Sequence, residues 1–91
     1  MIDGSFRATN RSKVFARIDS ERFRQDSRWG VQETSFGRDL LVLVEEVGEA
    51  VKVYNEAMEA EGMGVGETYL EFEEELVQVA AVAVRILEGL V

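Results

Sequence analysis

The sequence predicts an all-α protein, an antiparallel helical bundle of three main helices that is completed by oligomerisation. The chain contains no proline, and most of its glycines fall between stretches of helical periodicity. Its 91 residues are 46% hydrophobic, which is typical of one small ordered domain. A domain of this size buries only a modest fraction of its surface, so association with further copies would stabilise it.

The first helix is expected from about Ser12 to Asp26, after a flexible N-terminal arm formed by residues 1–11. The helix is indicated by apolar residues at Val14, Phe15, Ile18 and Phe23. The segment from Ser27 to Gly37 is predicted to be a loop, because it contains glycine, serine and threonine.

The second helix is expected from about Arg38 to Glu61. Its apolar residues repeat at steps of three and four, which predicts one buried stripe. They are Leu40, Val44, Val47, Val51, Tyr54 and Met58. Gly48 interrupts this helix, and either close packing or clearance beside the flanking glutamates explains it.

The third helix is expected to follow a glycine-containing connector at residues 62–66. Thr68 and Glu71 have the spacing of a capping box, and the helix should run to about Glu88. Between Leu76 and Leu87 nearly every side of it is apolar. A helix of that kind must be covered on all sides, which predicts a homodimer or homotetramer. Arg85 lies in this apolar stretch and needs an anion, for which an intersubunit glutamate is favoured over a nucleotide.

Composition excludes several kinds of chemistry. With no cysteine and no histidine, the chain has no thiol, disulfide or imidazole catalysis available to it. The net charge of −8 is uneven: residues 1–38 carry +3 and residues 39–91 carry −11. An acidic body repels duplex nucleic acid, so none is expected as a partner. The absence of a long apolar run or a signal-peptide pattern predicts a cytoplasmic protein without a membrane partner.

Two groups of oxygen-bearing side chains stand out against this background. Glu46 and Glu49 lie one turn apart on the second helix, and Glu75 and Gln78 lie one turn apart on the third. If the helices pack with these faces together, the carboxylates converge and need a cation. Oxygen-only sites suit Mg²⁺, with Mn²⁺ as a second choice. The alternative is that both groups lie on solvated faces.

Three segments of the chain resemble one known family. LVEEVGEAVK followed by EEELVQVAAVAVRILEGL is similar to the EExxE and ExxD motifs of the MazG-like nucleotide pyrophosphohydrolases, in the all-α NTP pyrophosphatase superfamily. ERFRQDSRWGVQ resembles the ERxRQDxKWGxQ segment of small members. The similarity covers roughly residues 14–90, which makes residues 12–91 a MazG-like helical domain.

The resemblance implies a Mg²⁺-dependent enzyme that hydrolyses a nucleoside triphosphate to the monophosphate and pyrophosphate, as in house-cleaning of the nucleotide pool. It makes Glu46, Glu49 and Glu75 metal ligands and Glu45 a supporting or water-activating carboxylate. Gln78 stands where the family has an aspartate; its carbonyl can coordinate Mg²⁺ but carries no charge. Without histidine, Glu45 or Glu49 is the expected general base.

Four side chains are candidates for substrate contacts, each with a structural alternative. Lys52 could meet a phosphate or pair with a neighbouring glutamate, and Asn55 could bind sugar or base or be a surface amide. Trp29 could stack on a base or cap the core. Arg28 occupies the family's lysine position and could reach a phosphate, or belong to a solvated face.

Three hypotheses about function therefore remain open. The first is the nucleotide pyrophosphohydrolase. The second is a catalytically weakened relative that binds nucleotide or metal, which the glutamine at position 78 motivates. The third is a structural helical oligomerisation module, for which the apolar third helix would suffice.

Overall fold

The computed structural model describes residues 4–29, 35–61 and 67–91, and every element within them is α-helical. The three helices are α1 (Gly4–Trp29), α2 (Phe36–Glu61) and α3 (Glu67–Leu90). At residues 4–9, 60–61 and 67–69 only the backbone is described. The predicted all-α class and the number of helices are confirmed. The glycine-containing connector lies outside the described residues.

The bounds of α1 differ most from the prediction. The helix begins at Gly4, so the segment expected to be a loose arm is helical from that residue onward. It also continues through Trp29, which was expected in a loop. The periodicity of apolar residues identifies only the part of a helix that packs against another element. Helix α1 extends beyond that part at both ends.

The start of α2 is set by a serine cap. Ser35 Oγ accepts a hydrogen bond from the backbone N–H of Arg38 at 3.2 Å, and its carbonyl accepts one from the N–H of Asp39 at 3.1 Å. A serine in this position satisfies backbone donors at the helix start that have no partner inside the helix. The helix therefore begins at Phe36, two residues before the predicted start, and it ends at Glu61 as predicted. Thr68 lies just inside α3 instead of preceding it, a difference within the usual uncertainty of helix ends.

Helices α2 and α3 run antiparallel, and α1 also packs against α3. Near one end of the α2–α3 pair, Asp39 lies 3.8 Å from Arg85. Towards the other end, the rings of Tyr54 and Phe72 have centroids 5.2 Å apart. Residue numbers rise along one helix as they fall along the other, which is the predicted arrangement.

The core of a single chain is built from small residues. Among the described residues, the buried apolar side chains are Ala50, Ala57, Ala81 and Val82. Alanines let two helix backbones approach closely, so these buried residues allow α2 and α3 to pack against each other.

The larger apolar residues of α2 flank this contact and remain exposed. We call Leu40, Val44, Val47, Val51 and Tyr54 the apolar stripe; their exposed fractions range from 42% to 68%. The prediction that they form a buried stripe is therefore wrong for the single chain. Leu76 and Leu87 on α3 are also exposed. A methyl group added at Gly48 would meet no atom within 4 Å, so close packing inside the chain does not explain that glycine.

An ion-pair network ties all three helices together. Arg22 on α1 donates to Glu88 on α3 at 2.8 Å and to Asp26 at 3.2 Å. Arg85 on α3 donates to the same Asp26 at 3.2 Å and also lies near Asp39 on α2. Arg85 thus has two acidic partners within its own chain, Asp26 and Asp39, so that an intersubunit glutamate is not needed to neutralise it. We refer to Arg22, Asp26, Asp39, Arg85 and Glu88 as the ion-pair network.

Candidate functional site

Three glutamates of the predicted metal site occur where α2 faces α3. Glu46 and Glu49 lie one turn apart on α2, and Glu75 lies on α3; we call these three the acidic cluster. Glu46 and Glu75 are half-buried and joined by a side-chain hydrogen bond, whereas Glu49 is exposed. The antiparallel packing of two amphipathic helices brings the pair together, as the spacing of the residues predicts.

Burial, together with the repulsion between neighbouring carboxylates, raises two pKa values in this cluster. Burial, followed by the charges of Glu75, Glu49 and Glu21, raises the pKa of Glu46. Burial and the charges of Glu49 and Glu74 raise the pKa of Glu75, while its hydrogen bond with Glu46 opposes part of that rise. Both groups therefore hold a proton more readily than an isolated glutamate does.

One oxygen of the cluster has no partner. Glu75 Oε2 is buried and, among the described residues, accepts no hydrogen bond. A buried polar atom without a partner costs about 1 to 3 kcal/mol, and native structures contain few of them. The atom lies beside another carboxyl group, so a bound cation would satisfy it and relieve the repulsion at once.

The donor chemistry fits a hard cation, although no ligand shell is preformed. In the described part of the chain, no group of three or more acidic side chains is arranged so that it could hold a metal ion. Carboxylate oxygens and a glutamine carbonyl are the ligands Mg²⁺ prefers. Glu46 and Glu75 are already adjacent, so coordination requires their hydrogen bond to be exchanged for metal contacts and the exposed Glu49 to turn towards them.

An open cleft of about 720 Å³ lies between α1 and α3. We call it the arginine cleft, because Arg17, Arg24 and Arg28 line it from α1. Seven and eleven residues are close to two and three full helical turns, so the three guanidinium groups share one face of α1. Glu21 lies on the same wall, and Glu74 and Gln78 line the opposite wall on α3.

The arginine cleft adjoins the acidic cluster. Gln78 lines the cleft one turn beyond Glu75 on the same helix. Glu21, also in its lining, is close enough to raise the pKa of Glu46, and Glu46 acts electrostatically on Arg24. Carboxylates that attract a cation and guanidinium groups that attract an anion therefore lie side by side.

Some of the other predicted site residues line the arginine cleft, and others lie outside it. Arg28 and Gln78 both line the cleft. Trp29 is outside its lining; the ring is half-exposed and the guanidinium carbon of Arg85 lies 6.0 Å from its centroid. Lys52 and Asn55 are exposed on α2, and Lys52 forms no ion pair with a described carboxylate, so its expected glutamate partner is not observed. Glu45 is exposed next to the acidic cluster.

Arg17 and Arg24 are cleft residues that the sequence interpretation did not single out. Their signal was the spacing with Arg28, which places all three arginines on one helix face. Spacing alone does not say which helix that face meets, and the opposing wall on α3 comes only from the fold.

Comparison with known proteins gives no independent assignment. No protein-family model, characterised protein or solved structure matches this chain. Among the described residues, no helix is long and apolar enough to cross a membrane.

Proposed function

We propose that the protein is a Mg²⁺-dependent nucleoside triphosphate pyrophosphohydrolase of the MazG-like type, which releases a nucleoside monophosphate and pyrophosphate. The observation that carries the proposal is the buried, unpartnered Glu75 Oε2 beside Glu46, whose pKa is raised partly by Glu75 itself. A site that concentrates negative charge without a cation is poised to take one up. The motif resemblance supplies the reaction.

The chain's own residues have separate roles in this proposal. Glu46, Glu49, Glu75 and the Gln78 carbonyl hold the cation. Mg²⁺, when bound, polarises phosphate oxygens and lowers the pKa of a water molecule. Glu45 or Glu49 accepts the proton of the attacking water, because both are exposed beside the cluster and the chain has no histidine. Arg28 orients the phosphate chain from the cleft.

Pyrophosphate release from a panel of standard and modified nucleoside triphosphates, with Mg²⁺ or Mn²⁺, tests the proposal. Glu49→Gln should lower turnover by at least roughly 100-fold, since even the loss of an outer-shell partner costs 10- to 100-fold at metal sites. Circular dichroism should be unchanged because Glu49 is exposed. Glu59→Gln is the matched control: it neutralises another exposed acid of α2 and should retain full activity.

The glutamine at position 78 favours a second candidate, a weakened relative that binds nucleotide or metal with little turnover. Gln78→Asp restores the fourth carboxylate and would then increase turnover and metal affinity. Equal or lower turnover in Gln78→Asp would argue that the glutamine is compatible with full activity. No turnover in either form, together with no metal-dependent thermal shift, would rule out both candidates.

We further propose that the protein assembles as a homodimer or homotetramer through the apolar stripe. The stripe is continuous with a groove between α2 and α3 that is lined only by apolar residues and one tyrosine. They are Val47, Ala50, Val51, Tyr54, Phe72, Leu76 and Val79. Exposed residues at alternating steps of three and four form the seam that two helices bury against each other, and a second copy offers the same seam. This is also the observation that favours a structural oligomerisation module.

Sedimentation or light scattering of Val51→Lys tests this assembly. A lysine in the middle of the apolar stripe should shift the mass towards that of one chain, because its charge would be buried without a partner. Glu59→Lys places the same residue on α2 outside the stripe and should leave the mass unchanged. A wild-type chain that sediments as a monomer would contradict the proposal directly.

A further inference from the structure

We infer that the arginine cleft is a subsite for a diphosphate group, namely the β- and γ-phosphates that leave as pyrophosphate. The inference rests on the proposed function for the identity of the reaction, and on Arg17, Arg24 and Arg28 for the binding. It assigns Arg17 and Arg24 a role in recognising the length of the phosphate chain.

The cleft contrasts in charge with the rest of the molecule. The protein carries −8 overall, and residues 39–91 alone carry −11. The cleft gathers three arginines against two glutamates, Glu21 and Glu74. An anion approaching this acidic protein therefore finds a favourable potential at the α1 wall and is repelled by the exposed carboxylates elsewhere.

The guanidinium groups are available to such an anion. Arg28 forms no ion pair with a described carboxylate. Arg17 is only loosely paired, at 3.8 Å from Glu73, and both side chains are half-exposed. Arg24 is half-exposed and donates to both carboxylate oxygens of Glu21, at 2.9 and 2.6 Å, whereas the Glu21 side chain is only 12% exposed.

Exchange of these contacts for phosphate is favourable. Exposed ion pairs contribute about 0 to 1 kcal/mol. An arginine donating two parallel hydrogen bonds to a phosphate forms a stronger and more directional contact. The pair of Arg17 can therefore open without a large penalty. Arg24 keeps Glu21 on its Nε and Nη2 and offers the remaining Nη1 to the phosphate.

The size and position of the cleft suit a diphosphate. Its volume of about 720 Å³ lies within the range of small-molecule sites, and the row of three arginines along α1 offers several guanidinium groups to the oxygens of a diphosphate. Gln78 belongs both to the cleft and to the predicted metal site. The triphosphate of the substrate would pass from one site to the other at this residue. The α-phosphate then lies at the acidic cluster and the leaving diphosphate lies in the arginine cleft.

Calorimetric titration of the whole protein with inorganic pyrophosphate in a chelator, compared with orthophosphate, tests the inference without any metal. Pyrophosphate should bind more tightly than orthophosphate, and more weakly as salt screens the guanidinium groups. Arg24→Ala and Arg28→Ala should each weaken pyrophosphate binding by roughly tenfold, the effect of one charged hydrogen bond. Arg24→Lys should recover part of the loss. Arg11→Ala removes an exposed arginine of α1 outside the cleft and should have no effect.

The same variants separate this inference from the proposed function. If pyrophosphate binds as expected but no nucleotide is hydrolysed, the diphosphate subsite stands and the proposed function fails. If nucleotides are hydrolysed while Arg24→Ala and Arg28→Ala leave both KM and pyrophosphate inhibition unchanged, the function stands and the subsite is overturned. Failure of the wild-type protein to bind pyrophosphate, or equal binding of orthophosphate, also overturns it.

Discussion

The ion-pair network and the acidic cluster both bring charged side chains to helix contacts, yet they solve the electrostatic problem in opposite ways. In the network, Arg22 and Arg85 are shared among three carboxylates, and Asp26 accepts hydrogen bonds from both arginines. In the cluster, Glu46 and Glu75 lie close together and form no ion pair with a described basic side chain, and one buried oxygen accepts no hydrogen bond from the described residues. They are only about two turns apart along α2, from Asp39 to Glu46.

The difference separates charges that pair with each other inside the fold from charges that the proposed cation would neutralise. A satisfied network stabilises the contact among three helices, and breaking it leaves partly buried charges without their partners. An unsatisfied like-charge pair destabilises the fold slightly and persists where it serves another purpose. Removing a side chain from the ion-pair network should therefore lower the stability of the fold. Neutralising a carboxylate of the acidic cluster should raise it.

The largest expected effect comes from Arg22→Ala. Arg22 donates to Glu88, Asp26 and Gln25, and the Gln25 side chain is only 2% exposed. Losing the guanidinium leaves Glu88 and Gln25 without this donor, whereas Asp26 keeps the hydrogen bond from Arg85. The cost should be about 2 to 3 kcal/mol, because Glu88 can still reach water. Urea unfolding monitored by circular dichroism measures the loss.

A matched control for this experiment is Arg38→Ala. Arg38 is an exposed arginine of α2 that pairs with no described carboxylate, and its replacement should change stability by less than about 0.5 kcal/mol. Similar losses for both variants would mean that the ion-pair network contributes no more than any surface charge.

The sequence predicts the helices well and their partners poorly. The apolar periodicity is a local signal, and it predicted the start of α2 to within two residues. The spacing of the glutamates predicted that Glu46 and Glu75 would lie close together. The cap at Ser35 was not recognised, because that residue was assigned to a loop. The buried residues were missed because periodicity weights large apolar side chains, whereas Ala50 and Ala81 carry the close contact. The apolar stripe follows the predicted spacing, but spacing does not say whether its cover comes from the same chain.

The ion-pair network was beyond prediction for a related reason. Arg22 and Glu88 are 66 residues apart in sequence, and nothing local links them. The sequence showed that Arg85 needs an anion, but the choice between a second subunit and Asp26 depends on how α1 crosses α3. Long-range pairing is a property of the packing.

Glu75→Gln should have a smaller effect of the opposite sign. The amide removes one charge from the acidic cluster and can still hydrogen-bond with Glu46, so unfolding without metal should require about 1 kcal/mol more. The same variant should lose any stabilisation by Mg²⁺, which thermal unfolding with and without the cation measures. Destabilisation in the absence of metal would show that Glu75 belongs with the structural charges.

The pH dependence of stability sharpens the same contrast. The pKa values of Glu46 and Glu75 are raised above their ordinary value of 4.5, so the folded state binds more protons than the unfolded state just above that pH. Their contribution to stability is then fully present below pH 4.5 and is lost as pH rises through the raised folded values. Urea midpoints measured from pH 7 down towards 5 should show this gain in the wild type and a smaller one in Glu75→Gln.

Saturating Mg²⁺ should reverse the change of stability with pH, because the metal binds the deprotonated carboxylates and competes with the protons. If stability changed with pH equally in the wild type and in Glu75→Gln, the interaction between Glu46 and Glu75 would not be what raises their pKa values. The electrostatic argument for the cation site would then fail.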